Sequence, residues 1–227
     1  MQFLLVLALA VLSIASPVPT PIVEERTVIE ERQSTTGVTS NEYTELGCRN
    51  ILFFFARGST EVGNMGTIVG PQTSNGIKSA FGVTNVATEG IDYAALLSTN
   101  FVPGGADPAG IAEMQDLLND AAARCPSTSS KIVVAGYSQG AALVHRAVES
   151  LAQSVKDRIV AAVTYGDTQN LQDGGRIPNF PTEKTLIICN PGDAVCAGTL
   201  TITPAHLAYT ARVPEAVAFI NARINAS

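Results

Sequence analysis

The chain has 227 residues, a net charge of −6 and a sequence pI near 4.9. This length suits one domain of moderate size with a substantial core. Charged residues make up only 15% of the chain, against about 25% in an average globular protein, and Lys and Arg form no basic run. Nucleic acids and anionic membrane surfaces are therefore not expected as partners.

The N-terminus opens with an apolar run at residues 2–15, QFLLVLALAVLSIA. The run is too short to span a membrane and ends in small residues, so we assign residues 1–16 to a secretory signal peptide. Residues 17–42 are rich in Pro, Glu, Ser and Thr and contain no aromatic residue, which indicates a pro-segment or disordered arm. We expect a secreted, extracellular monomer with one folded domain at residues 45–227 and no membrane span.

Short apolar runs alternate with helical patterns along this domain. The runs lie at residues 51–56, 83–88, 132–134, 159–164 and 185–189. Helices are predicted at about 76–81, from 108 to 124 after the Asp107-Pro108 cap, after residue 140, and at the C-terminus. Unbroken apolar strands that alternate with helices indicate a parallel sheet buried on both faces. We predict an α/β protein, a three-layer α/β/α sandwich around a mostly parallel five-stranded sheet.

The segment KIVVAGYSQG at residues 131–140 is typical of a strand, a tight turn and the start of a helix, with Ser138 at the apex. So sharp a turn requires residues without side-chain bulk on either side of the serine, and Gly136 and Gly140 meet this requirement. Ser138 then lies at the carboxyl end of a strand and beside a helix N-terminus, where free backbone N–H groups can stabilise an oxyanion. This pattern predicts a nucleophilic serine.

A serine nucleophile requires a base, and the chain contains two histidines, His145 and His206. His145 follows Ser138 by seven residues on the same predicted helix, a rise of about 10 Å that is too long for a hydrogen bond. We interpret it as a packed or surface helix residue. His206 lies on a loop between the last strand and the last helix, where such sheets place catalytic groups. His206 is therefore the predicted general base.

Three aspartates in predicted loops compete for the role of the triad acid: Asp167, Asp173 and Asp193. The α/β-hydrolases carry their triad in the order Ser, Asp, His, with the acid one strand beyond the position of Asp167, which favours Asp193. Asp167 and Asp173 are instead typical of turn and capping chemistry. For the oxyanion hole, we expect the backbone N–H of Gln139 and a second donor from the loop after the first strand, where Ser59 offers an N–H and a hydroxyl.

The four cysteines fit a secreted protein with two disulfides, for which three pairings are possible. Cys189 and Cys196 are seven residues apart, so a local loop closure between them is natural, and this leaves Cys48 with Cys125. A zinc site is the alternative, but the chain has neither a C-x-x-C spacing nor a histidine pair. No metal or other cofactor is expected.

Four segments, in this order along the chain, resemble the cutinase family, which comprises secreted serine esterases of the α/β-hydrolase superfamily. They are ARGSTEVGNMG at 56–66, CP at 125–126 with AGYSQGAA at 135–142, CNPGDAVC at 189–196, and PAHLAY at 204–209. The resemblance covers essentially all of residues 45–227. It implies a minimal α/β-hydrolase without the large cap of true lipases, so that bulky polymer can reach the serine.

The resemblance also implies individual roles. Ser138 is the nucleophile, Asp193 the acid and His206 the base, while Ser59 and Gln139 donate to the oxyanion. The same resemblance implies the disulfides Cys48–Cys125 and Cys189–Cys196.

Shorter local matches to the family imply roles for four further residues. Asn100 matches the position that supports the oxyanion serine, and Leu97, Ile202 and Leu207 fall where the family binds the acyl chain. The implied activity is hydrolysis of cutin-type polyesters and of short- to medium-chain acyl esters. The alternatives are an acetylxylan esterase with the same triad, a transferase that uses an alcohol instead of water, and a non-enzymatic surface or elicitor protein, which would be expected to lack a triad member.

Overall fold

A computed structural model describes residues 35–227, and the predicted signal peptide and residues 17–34 of the predicted arm lie outside the described residues. In this region, the strands are β1 Ile51–Ala56, β2 Val86–Gly90, β3 Lys131–Tyr137, β4 Ile159–Tyr165 and β5 Thr185–Ile188. They form one parallel sheet in the order β2-β1-β3-β4-β5. The helices are α1 Glu42–Leu46, α2 Gly70–Phe81, α3 Pro108–Arg124, α4 Gln139–Ser150, α5 Gln153–Lys156 and α6 Val213–Asn225.

Strand side chains alternate between two cores on opposite faces of the sheet. Phe54 of β1 packs in the core that contains the inner faces of α3 and α4, whereas Phe53 and Phe55 pack in the core that contains residues of α2 and α6. Because both faces are covered, every position of β1 is buried, which explains its unbroken apolar sequence. The predicted three-layer α/β/α class is confirmed. Within residues 35–227, no helix is long and apolar enough to cross a membrane.

Two element boundaries differ from the sequence-based prediction. The helix predicted at 76–81 begins earlier, at Gly70. An added Cβ at Gly70 would lie 2.1 Å from the Met65 carbonyl oxygen, so packing requires a glycine there. Because glycine weakens the helical pattern of the sequence, the prediction started the helix too late. The strand predicted at 83–88 is a short 3₁₀ turn, Val83–Asn85, followed by β2, because the parallel register pairs Ile51 with Val86.

Residues 35–46 cover the outer edge of β2. The Ser40 carbonyl accepts from Gly90 N at 2.9 Å, and the Ser40 hydroxyl donates to the Thr88 carbonyl at 2.9 Å. Tyr43 is buried, and Lys78 forms an ion pair with Glu42 at 2.5 Å. Composition places residues 35–42 in the predicted pro-segment or disordered arm; in the structure these residues have defined contacts, so packed residues begin before residue 45. The edge of β2 would otherwise expose unpaired backbone groups, and pairing with this edge gives residues 35–42 the fixed contacts that their composition does not predict.

His145 ties α4 to the loop that follows β4. Its imidazole is fully buried, with Nε2 2.8 Å from Asp167 Oδ2 and Nδ1 2.7 Å from Asp173 Oδ2. Thr164 also donates to Asp167 at 2.7 Å, and Arg146 pairs with Asp173. Burial by itself would lower the pKa of His145, but the two carboxylates outweigh it and raise the pKa to about 9. The histidine is therefore packed, as expected for its helix, and charged at neutral pH.

We predict that His145 stabilises the fold in a pH-dependent way. Its folded-state pKa of about 9 lies above the ordinary value of 6.5, so its contribution is fully present below pH 6.5 and is lost as the pH rises through 9. The shift corresponds to roughly 3 kcal/mol. Urea unfolding of the wild type and His145→Gln at pH 6, 7.5 and 9.5 should show the largest difference at pH 6. A difference that grows with pH would contradict the assignment.

Candidate active site

The serine elbow lies at the carboxyl edge of the sheet, between the end of β3 and the start of α4. Ser138 has φ 55° and ψ −118°, a strained conformation for a residue with a side chain. An added Cβ at Gly136 would lie 2.2 Å from the Gly140 carbonyl oxygen, and one at Gly140 would lie 2.0 Å from the Ala56 carbonyl oxygen. Both glycines of the motif are thus required by close backbone approach.

A continuous hydrogen-bonded chain links Ser138, His206 and Asp193. Ser138 Oγ lies 3.0 Å from His206 Nε2, and His206 Nδ1 lies 2.9 Å from Asp193 Oδ2. The other carboxylate oxygen, Asp193 Oδ1, accepts from Val195 N at 3.0 Å. All three side chains are buried. The structure therefore brings together the three residues that the sequence predicts, while Asp167 and Asp173 lie instead against His145.

The loop that carries Asp193 is closed by the disulfide Cys189–Cys196, and Cys48–Cys125 joins the segment before β1 to the residue after α3. These are the two pairings that spacing and family resemblance imply. Closing the chain between two cysteines seven positions apart restricts the backbone around Asp193 and so limits the positions that its carboxylate can take.

Two residues without a role in the sequence analysis hold the His206 ring. Tyr137 donates its hydroxyl proton to the His206 carbonyl at 2.7 Å and stacks on the imidazole with ring centroids 5.3 Å apart. Burial raises the pKa of Tyr137, so the phenol stays protonated and donating. Gly166, with φ +53°, lies against the other side, where an added Cβ would be 2.9 Å from His206 Cε1. Of these two residues, only Tyr137 stands in a motif that the sequence singles out, and nothing in the sequence indicates the contact of Gly166 with His206.

The Ser59 hydroxyl is oriented by two side-chain amides. Asn100 Nδ2 donates to Ser59 Oγ at 2.9 Å, and Gln139 Nε2 donates to it at 3.1 Å. Each amide nitrogen also donates to a backbone carbonyl, of Leu97 and Leu96 respectively, which fixes the nitrogen assignment. Both lone pairs of Ser59 Oγ are thus occupied, so its proton is left to donate to a ligand oxygen. The side-chain role of Gln139 is an addition to the predicted backbone role.

The loop that presents Ser59 is pinned by Arg57 and Glu61. The Glu61 carboxylate accepts from Gly58 N at 2.7 Å, Thr67 N at 2.8 Å and Ile68 N at 3.0 Å. The Arg57 guanidinium donates to the Glu61 and Tyr93 carbonyls at 2.8 and 2.6 Å. Charge-assisted bonds to backbone groups make the loop rigid before any ligand binds. Both residues belong to the motif ARGSTE, but their function there follows only from the structure.

An apolar groove of about 560 Å³ opens above Ser138 and His206. The predicted acyl-binding residues Leu97, Ile202 and Leu207 line it and are more than half exposed. Among the described residues that line the groove, Glu61 is the only carboxylate and no Lys or Arg is present. A larger groove of about 860 Å³ along residues 172–183 shares no lining residue with it.

A parallel sheet with a serine at a strand–helix elbow, bonded to a histidine and then to a carboxylate, defines the class of the α/β-hydrolases. A family model described as Cutinase matches residues 47–224. "Cutinase CUT2" of Pyricularia oryzae is 50% identical over 225 residues, which cover 99% of this chain and 100% of that protein. "Probable cutinase 5" of Aspergillus terreus is 43% identical, with coverage of 98% and 97%. The chain belongs to the cutinase family and is a carboxylic ester hydrolase.

Solved structures agree with this family. A Trichoderma reesei cutinase in complex with a phosphonate inhibitor superposes with a TM-score of 0.73 at 27% identity, covering 91% of this chain and 93% of that one. An acetylxylan esterase superposes with a TM-score of 0.59 at 22% identity, covering 78% of this chain and 99% of that one, which shows a shared fold.

We predict that Gly166→Ala will lower kcat/KM for p-nitrophenyl butyrate by about 10²-fold, because a Cβ at this position displaces the His206 ring from Ser138. Gly47→Ala is the matched control: its φ is +80° and its added Cβ meets nothing within 4 Å. Both variants bear backbone strain and should lose stability, but only Gly166→Ala should lose activity while folded. Equal kcat/KM in the two folded variants would disprove the steric account.

Proposed function

We propose that this chain hydrolyses ester bonds of cutin-type polyesters and of short- to medium-chain acyl esters, with Ser138, His206 and Asp193 as its catalytic triad. The observation that carries the proposal is the Ser138–His206–Asp193 hydrogen-bonded chain, with distances of 3.0 and 2.9 Å, at the base of an apolar groove. The names of its relatives, among them "Cutinase CUT2", support the polymer class.

The proposed mechanism is two-step acyl transfer. His206 Nε2 takes the proton of Ser138 Oγ as the oxygen attacks the ester carbonyl carbon, and Asp193 holds the imidazolium that results. His206 then gives this proton to the departing alcohol oxygen, and the C–O bond of the ester breaks to leave an acyl-serine. Water repeats the sequence: it loses a proton to His206 and attacks the acyl carbon, and Ser138 leaves with that proton.

The oxyanion formed in each step would be held by Gln139 and Ser59. Gln139 is the first residue of α4, where backbone N–H groups have no acceptor within the helix. The Ser59 hydroxyl has its lone pairs filled by Asn100 and Gln139, so its proton can point at the developing charge without reorientation. Donors that are set before the reaction avoid a reorganisation cost in the transition state.

The shape of the groove favours acyl chains longer than acetyl. Its walls include the exposed side chains of Leu97, Ile202 and Leu207, together with Phe101, which is 78% exposed. An acetyl group would contact few of these atoms, whereas a butyryl or longer chain would bury more apolar surface, at about 25 cal/mol per Å². The acetylxylan esterase alternative predicts the opposite preference.

The proposal includes secretion of the mature chain as a monomer. Two disulfides in the described region fit an oxidising compartment. The apolar run at residues 2–15 fits a cleaved signal peptide. An intact mass of protein from the culture medium that still includes residues 1–16 would disprove the cleavage.

We expect Ser138→Ala to lower kcat for p-nitrophenyl butyrate and for cutin by several orders of magnitude, since the nucleophile is lost and only transition-state binding remains. The wild type should prefer butyryl over acetyl esters. Full activity of folded Ser138→Ala would rule out the assigned nucleophile. A wild type that cleaves acetyl esters and rejects butyryl esters would favour the acetylxylan esterase alternative.

Ser59→Ala should lower kcat by roughly 10²-fold with KM little changed, because it removes a donor used in the transition state while its backbone N–H stays. Ser154→Ala, which deletes a hydroxyl from the exposed surface of α5, is the matched control and should keep wild-type kinetics. Thermal unfolding verifies that both variants are folded. A Ser59→Ala enzyme with the kcat of Ser154→Ala would exclude the hydroxyl as an oxyanion donor.

A further inference from the structure

The hydroxyl of Tyr209 lies at the back of the triad, behind Asp193. It is 2.6 Å from Asp193 Oδ2, the same oxygen that His206 Nδ1 contacts at 2.9 Å. Tyr209 is fully buried and precedes α6 in the short 3₁₀ turn Tyr209–Arg212. The carboxylate is thus held by three donors: the imidazole, the phenol and the Val195 backbone N–H.

The direction of the bond from Tyr209 to Asp193 is fixed by a third group. The backbone N–H of Asn190 donates to Tyr209 Oη at 2.9 Å. A backbone N–H can only donate, so the phenol accepts there and directs its own proton to Asp193. Burial, followed by the nearby Asp193 carboxylate, raises the pKa of Tyr209, so the phenol remains a donor through the neutral range.

The Tyr209 ring also forms part of the wall around the imidazole. It meets His206 edge-on, with centroids 6.2 Å apart and an interplanar angle of 83°. An added Cβ at Gly166 would lie 2.9 Å from both Tyr209 Cε2 and His206 Cε1, so the two rings share the space above this glycine. The phenol therefore has little room to rotate away from Asp193.

We propose that Tyr209 is a positioning residue of the triad, whose hydroxyl fixes the Asp193 carboxylate and shares the negative charge that this carboxylate offers to the His206 ring. This inference rests on the proposed triad. A donor bonded to the carboxylate reduces the negative charge that Asp193 offers to the imidazolium. Without this donor, the imidazolium is stabilised more strongly and keeps its proton to higher pH.

Other ionisable groups face this cluster and are unchanged in Tyr209→Phe. They are Tyr137 of β3, Tyr165 of β4, Glu61 of the loop after β1, and Arg212, which donates to Asn190 Oδ1 at 3.0 Å and pairs with Glu215.

The test is the pH profile of kcat/KM for p-nitrophenyl butyrate in Tyr209→Phe. Its acid limb, which reports His206 in the free enzyme, should move to higher pH by about half a unit to one unit. Tyr165→Phe is the matched control, because Tyr165 belongs to the same aromatic cluster. Its hydroxyl lies 2.8 Å from the Thr73 hydroxyl and does not contact the triad. Its acid limb should coincide with that of the wild type.

A second variant tests the opposite sign and covers the case in which Tyr209→Phe fails to fold. Replacement of Tyr209 by 3-fluorotyrosine makes the phenol a stronger donor, so the acid limb should move to lower pH. A purely structural tyrosine would change stability and leave the limb in place. If Ser138→Ala abolishes activity but the acid limbs of both Tyr209 variants coincide with that of the wild type, the role of Tyr209 is overturned and the proposed function stays intact. Activity retained by Ser138→Ala would instead remove the triad on which the role rests.

Discussion

The backbone contact between the start of α4 and the end of β1 is the constraint on which the site depends. An added Cβ at Gly140 would lie 2.0 Å from the Ala56 carbonyl oxygen and 2.6 Å from that of Arg57. The bare glycine lets the loop after β1 lie beside the first turn of α4, so that the Gln139 amide reaches the Ser59 hydroxyl at 3.1 Å. A side chain at this position would separate the two segments that present the proposed oxyanion donors.

Two carboxylates near this contact, Glu61 and Asp193, are each held by several hydrogen-bond donors. Glu61 accepts three backbone N–H groups, and Asp193 accepts from His206, Tyr209 and Val195. These bonds offset the cost of burying Asp193 and of partly burying Glu61, and they also fix the loops that carry the two carboxylates. An ester carbonyl in the groove would meet few competing charges, and in such surroundings preorganised donors act strongly on a developing oxyanion.

The two histidines show how environment separates residues of the same type. His145 lies between two carboxylates, which raise its pKa to about 9 and keep it charged as a structural cation. His206 has one carboxylate and, on its other nitrogen, the Ser138 hydroxyl. Carboxylates occupy both ring nitrogens of His145, whereas His206 keeps one nitrogen for the Ser138 hydroxyl, so only the second arrangement suits transfer of the serine proton.

The sequence by itself determined the α/β class and the strand–turn–helix at Ser138, and it predicted that His206 and Asp193 would lie beside this serine, because these features depend on local periodicity, on turn chemistry and on the order of residues along the chain. It did not determine the start of α2, the cover over β2 by residues 35–46, or the contacts of Tyr137, Gly166 and Tyr209 with the triad. These depend on groups far apart in sequence, such as Tyr137 and His206, which are 69 residues apart. Only the packed sheet brings such groups within hydrogen-bonding distance, so only the tertiary structure could decide them.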